Sequence, residues 1–162
     1  MEGVNLRHGE INICVPTHLT VLMSLHYLAF RTLVHATESE EKVSAAMRFA
    51  TGLKEFTRTE VHGHYGNPIV ILEGEIKKSR EIDEFFKRMD KKATERIISS
   101  LDLRVDDDCQ LFFRLDKQEA YQGRIVLTEY EDFIQVRGKI KSYPKSRDSA
   151  MGSIRKYLES FL

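Results

Sequence analysis

The chain has 162 residues, of which 41% are hydrophobic and 31% charged, enough for one domain with its own core. Its 25 basic and 25 acidic side chains cancel, which excludes a protein that coats nucleic acid by bulk charge alone. Two cysteines, Cys14 and Cys109, stand far apart without ligand spacing, which argues against a disulfide scaffold or a structural zinc site and points to a reducing cytoplasm.

Residues 1–22 carry no helical or strand period. The apolar stretch from Ile11 to Phe30 is broken by Pro16, His18 and His26 and preceded by Glu2 and Glu10, so it reads as neither a signal peptide nor a membrane span. The leader is either an over-extended start, with Met23 as the working initiator, or a short flexible arm. The folded domain is expected over residues 23–162.

From Leu25 to Val34 the apolar run predicts a first strand. Thr37-Glu38-Ser39-Glu40 has the form of a capping box, and Val43, Ala46, Met47 and Ala50 repeat at helical spacing until Gly52 supplies a left-handed stop. Phe56–His62 and Ile69–Ile76 predict a hairpin closed by the Gly-Asn-Pro turn. Ser79 is expected to cap one long helix with Ile82, Phe85, Phe86, Met89, Ala93, Ile97 and Leu101 on its buried face. After the Asp106-Asp107-Asp108 turn come a fourth strand from Gln110 to Leu115, one helical turn, a fifth strand from Arg124 to Glu129, and a sixth from Phe133 to Tyr143. In the last, Ile134, Val136, Gly138 and Ile140 alternate with Gln135, Arg137, Lys139 and Lys141, sending an apolar set to the core and a basic set outward. Ser146 caps a final helix that turns Ala150, Ile154, Tyr157, Leu158 and Phe161 inward. Hairpins mixed with helices in the order βαββα, then β, a short helix, ββα, predict an α+β fold, a largely antiparallel sheet with helices on one face.

Two connections are richer than their turns require. His62-Gly63-His64-Tyr65-Gly66-Asn67-Pro68 and Arg114-Leu115-Asp116-Lys117-Gln118-Glu119-Ala120-Tyr121-Gln122-Gly123 both display cations or imidazoles beside tyrosine, groups that bind phosphate and stack on bases. Residues 133–157 add seven basic side chains (Arg137, Lys139, Lys141, Lys145, Arg147, Arg155, Lys156) against one acidic, Asp148. A local basic surplus on a neutral molecule suits a localised anionic partner. No phosphate loop of the Walker or dinucleotide type and no nucleophile elbow occurs.

Four segments resemble a known family. Phe30-Arg31-Thr32-Leu33-Val34-His35-Ala36-Thr37-Glu38, Gly63-His64-Tyr65-Gly66-Asn67-Pro68-Ile69, Leu115-Asp116-Lys117-Gln118 with Ala120-Tyr121 and Gly123, and Tyr143-Pro144-Lys145 occur in the order found in archaeal RNA-binding proteins described as predicted exosome subunits. The fold of that family is similar to the large-subunit ribosomal protein that binds five-S rRNA. The resemblance runs from about Leu25 to the C-terminus and implies RNA binding in RNA processing or the ribosome, without established catalysis.

The expected RNA contacts are Arg58, His64, Tyr65, Lys117, Gln118, Tyr121, Lys139, Tyr143, Lys145 and Arg147, with Lys and Arg on phosphates and the aromatics over exposed bases or ribose. Backbone and shape readout of structured RNA is expected, because RNA helices hide their base edges from side chains. No catalytic residue, metal or cofactor is assigned. Two alternatives stand beside this reading. One is a metal-assisted ribonuclease or hydrolase using His62, His64 and Asp116, with His35 within the same reasoning; the other is a homodimeric assembly factor with a protein partner.

Overall fold

The computed structural model describes residues 24–162, and the expected leader lies outside the described residues. The elements are β1 (Leu25–Val34), α1 (Glu40–Thr51), β2 (Thr57–His62), β3 (Pro68–Ile76), α2 (Ser79–Arg88), α3 (Lys91–Ser99), α4 (Leu101–Arg104), β4 (Gln110–Asp116), α5 (Lys117–Tyr121), β5 (Phe133–Ile140) and α6 (Arg147–Glu159). The strands form one sheet in the order β2-β3-β1-β5-β4, and all four pairings are antiparallel. The fold is α+β.

Strand parity explains the layering. In β1, Leu28, Phe30, Thr32 and Val34 are buried while Arg31 and Leu33 are exposed, and in β5 Ile134, Val136, Gly138 and Ile140 are buried between less buried neighbours. One face of the sheet therefore takes the apolar set, and helices cover it. Phe30 and Phe113 of the sheet meet Phe85 of α2, with ring centroids 5.3 and 6.3 Å apart, and within the helix layer Phe86 meets Tyr157 of α6 at 5.6 Å. The Tyr157 hydroxyl donates to Asp83 Oδ1 at 2.5 Å, which satisfies both polar groups inside the core. Burial first, and then that carboxylate, push the Tyr157 phenol far above its ordinary value. Gly138 faces the same layer because a Cβ there would lie 2.9 Å from Leu28 Cδ2.

Several boundaries differ from the sequence expectation. The cap of α1 is Ser39, not Thr37, and its hydroxyl accepts from the Lys42 amide; Glu40, expected to close a Thr37 capping box, accepts from Arg58 instead, and Glu38 accepts from the His35 amide at 2.8 Å. Gly52 does end α1 in the left-handed region, at φ 77°. The expected single long helix is three. Met89 turns extended (φ −66°, ψ 141°) and bridges Ile125, and the Asp90 amide donates to the Ile125 carbonyl at 3.1 Å. Backbone partners supplied by the 124–129 segment replace the helical ladder there, while the apolar spacing from Phe86 through Met89 to Ala93 keeps its phase. Lys78, rather than Ser79, occupies the cap of α2. The expected fifth strand makes only isolated bridges, Ile125 to Met89 and Leu127 to Leu115, so the described residues contain five strands. The last strand stops at Ile140 instead of Tyr143.

Candidate nucleic-acid interface

The face of the sheet away from the helices is left open, and strand register decides what it carries. Tyr27 lies opposite Lys139, Ala29 opposite Arg137, and Arg31 opposite Gln135; on the outer side of β5, Phe112 pairs with Arg137 and Arg114 with Gln135. Toward the other edge Arg31 faces Glu73 and Ala29 faces Glu75. The Lys141 amide donates to the Ser24 carbonyl at 2.7 Å, extending the ladder and keeping Lys141 in phase with Lys139. A column Gln135, Arg137, Lys139, Lys141 thus runs down the open face, flanked by Tyr27, Phe112 and Phe133.

The face is electrically split. Glu73 and Glu75 sit on β3 and hold Arg31 and Lys77 at 3.7 Å each. Arg114 lies over the Phe133 ring at 4.4 Å. Arg137 and Lys141 have no acidic partner among the described residues. His26 stands close to this column, and partial burial followed by the charges of Lys141 and Lys139 lowers its pKa below the ordinary imidazole value. Three shallow depressions cover the face: about 400 Å³ between Arg31, Glu73 and Arg137, about 260 Å³ between Leu33, His35 and Phe133, and about 670 Å³ between Phe112, Arg114 and Leu103 of α4. Gln135 lines all three.

The residues singled out in the sequence fall into three groups. The β2–β3 hairpin and the β4–α5 connection come to the same end of the sheet, the end at which Val34 pairs with Val70 and Asp116 with Phe133. Tyr65 at the hairpin tip is 89% exposed and packs edge-on against His64, centroids 4.9 Å apart. On the other connection, Gln118 donates to Asp132 Oδ2 at 3.2 Å, and Tyr121, half exposed, has Lys42 Nζ 6.0 Å from its ring. A second group, Lys139, Tyr143 and Lys145, lies at the opposite end. Tyr143 is 98% exposed, Lys145 is exposed, and Lys139 Nζ donates to the Asp108 carbonyl.

The third group is built into the frame. Lys117, expected to reach phosphate beside Tyr121, is 3% exposed; its ammonium donates to the Leu33 carbonyl at 2.7 Å, to Glu38 at 3.1 Å, and meets Asp132 at 2.7 Å. Helical spacing placed it on α5 but did not show its burial, because the acceptors come from β1 itself and from the β1–α1 and β4–β5 connections. Asp132 is partly buried, which by itself works upward, yet hydrogen bonds from Lys117 and Gln118 and the Lys117 charge hold its carboxyl below the ordinary value. Arg147 donates through Nε to the Val105 carbonyl at 2.9 Å and through Nη2 to the Asp102 carbonyl, closing the end of α4. Arg58 lies on the helix side of β2, its Nε donating to Glu40 at 2.6 Å.

The metal-centre alternative meets the strand order. His62 is on β2 and Asp116 on β4, the two edges of the sheet, four strand spacings or roughly 19 Å apart. Asp116 caps α5, accepting from the Glu119 amide at 2.9 Å. Among the described residues no group of three His, Cys, Asp or Glu could hold a metal ion. No described helix is long and apolar enough to cross a membrane.

Arg31, Arg137, Tyr27 and Phe112 were not among the expected contacts. Their signal was present in strand alternation, since Arg137 shares its phase with Lys139 and Arg31 and Tyr27 are the odd members of the first strand.

An open antiparallel sheet with a basic column on its bare face defines a class of surface suited to a polyanion, and comparison with known proteins specifies the class. A family model described as RNA binding matches residues 27–140, and the chain belongs to this RNA-binding family. RNA-binding protein PAB1135 of Pyrococcus abyssi is 33% identical over 147 residues, covering 85% of this chain and 96% of that protein. Among solved structures, protein AF2318 from Archaeglobus fulgidus is 35% identical with a TM-score of 0.73, over 82% of this chain and 99% of that one. Mth689, a DUF54 protein from Methanothermobacter thermautotrophicus, is 34% identical with a TM-score of 0.71, over 83% and 98%.

Proposed function

We propose that the chain binds structured RNA across the open face of its sheet, with phosphates along Arg137, Lys139 and Lys141 and with Arg31 and Arg114 on either side. The observation that carries this reading is a cation column on a face that no described helix covers, in which Arg137 and Lys141 have no acidic partner among the described residues while Lys139 donates to the Asp108 carbonyl. Backbone and shape readout fits the chemistry present: Tyr27, Phe112 and Phe133 are half-buried in the sheet, and Phe133 already carries Arg114, so the groups free to act are cations. His64, Tyr65, Gln118 and Tyr121 at one end, and Tyr143 and Lys145 at the other, would meet the RNA beyond the face. Lys117, Arg58 and Arg147 hold the frame that presents them. The role is binding without catalysis, in the cytoplasm, and the sequence resemblance favours RNA processing with the exosome or a ribosomal setting.

The test compares two triple variants on a structured RNA. Arg137→Ala with Lys139→Ala and Lys141→Ala should flatten the slope of log affinity against log salt by about two to three units, at roughly 0.7–0.9 per lost phosphate contact. Lys91→Ala with Lys92→Ala and Arg155→Ala, exposed cations of the helix layer, should leave the slope unchanged. Equal slopes for both folded variants would remove the open face as the binding surface.

A further inference from the structure

The outer edge of β2 has no pairing partner among the described residues, and all six of its residues, Thr57-Arg58-Thr59-Glu60-Val61-His62, are exposed. The ladder to β3 fixes which backbone groups face outward. Gly63 donates to the Asn67 carbonyl at 2.8 Å, and His62 stands opposite Pro68, which has no amide to give. Hydrogen-bonded pairs with β3 therefore fall at Thr57, Thr59 and Val61, and the N–H and C=O groups of Arg58, Glu60 and His62 point to the free edge. Such an edge is a template for another strand.

We propose that this edge pairs with β2 of a second copy, antiparallel about a two-fold axis at Thr59. Only registers that set outward residues against outward residues complete a ladder. Centred on Thr59, Arg58 lies opposite the second copy's Glu60 and Glu60 opposite its Arg58, so both outward pairs match in charge. Thr59 then meets itself in a non-hydrogen-bonded pair, and Thr57 meets the exposed Val61 on the open face. Centring on Glu60 instead opposes that carboxylate to itself, and centring on Arg58 opposes the two guanidinium groups. Centring on Val61 leaves only three residues of each strand paired. Cross-strand pairs of opposite charge stabilise and like charges opposite one another destabilise, which selects the Thr59 register. Isologous pairing of this kind closes at two copies. In the single chain Arg58 already bridges Glu40 and Glu60, at 2.6 and 3.5 Å, so its guanidinium is held on the helix side where the second copy's Glu60 would arrive. The product is one ten-stranded sheet whose two open faces are continuous.

Sedimentation equilibrium of the full chain without RNA tests this independently of the RNA reading. The wild type should be dimeric. Glu60→Pro removes an outward amide and spares the β3 ladder, so it should give a folded monomer. Glu60→Arg should weaken the dimer roughly tenfold or more by opposing cations, and adding Arg58→Glu should restore it by exchanging the pairs. A wild type that is monomeric at every concentration, or a dimer insensitive to both Glu60 variants, overturns the interface; a double variant that stays monomeric overturns the register.

Discussion

The two faces of the same five strands use their cations differently. On the helix side Arg58, Arg147 and the nearby Arg88 are each engaged, Arg88 donating to the Ala50 carbonyl at 3.1 Å and Arg147 to Val105 at 2.9 Å. At the sheet end Lys117 is engaged as fully. On the open side Arg137 and Lys141 have no acidic partner among the described residues. A count of positive charge along the chain cannot separate these groups, but asking which charges are already satisfied does. On the proposed reading the candidate site is centred where Arg137 and Lys141 are held on the sheet without an acidic partner among the described residues.

Breaking the covered face should have the largest effect. Phe86→Ala removes a ring that touches Phe85, Phe113, Tyr157 and Phe161, and should cost about 3–5 kcal/mol in denaturant unfolding. The fraction that remains folded should bind RNA with unchanged affinity. Loss of affinity in that folded fraction would mean that the two faces are coupled.

Lys117 tests whether an expected contact is instead part of the frame. Lys117→Met leaves Glu38 and Asp132 without their cation and should destabilise by about 3 kcal/mol. Linkage gives the sign: a carboxyl with a lowered folded pKa contributes stability that is fully present above the unfolded value of about 3.9 and is lost as pH falls through the lower folded value. Acid unfolding of the wild type should therefore be steeper in that window than for Lys117→Met. Identical acid limbs would detach Asp132 from Lys117.

The smallest effect sharpens the charge split on the open face. Glu73→Gln with Glu75→Gln frees Arg31 and removes two carboxylates beside the basic column. RNA affinity should rise a few fold, on the order of 0.5–1 kcal/mol, with little change in stability. A fall in affinity would place the RNA elsewhere.

Much of this fold could be read in the chain. Alternation in Phe133–Ile140, the Gly52 stop and the Ser146 cap, which accepts from the Ser149 amide at 3.2 Å, are local signals, and they hold. The break at Met89 and the fate of Lys117 were not legible, because both depend on partners distant in sequence: Ile125 in one case, Leu33 and Glu38 in the other. The site was legible in part. Lys139 follows from strand parity, but Arg31 and Arg137 come together only through the β1–β5 register, where Ala29 meets Arg137 and Arg31 meets Gln135.

Arginine side-chain NMR reads the two faces in one experiment. On titration with a structured RNA, the Nε–Hε resonances of Arg31, Arg114 and Arg137 should shift or broaden, while those of Arg88 and Arg147, already committed to backbone carbonyls, should stay in place. Perturbation confined to Arg88 and Arg147, with Arg31, Arg114 and Arg137 unmoved, would contradict an RNA surface on the open face.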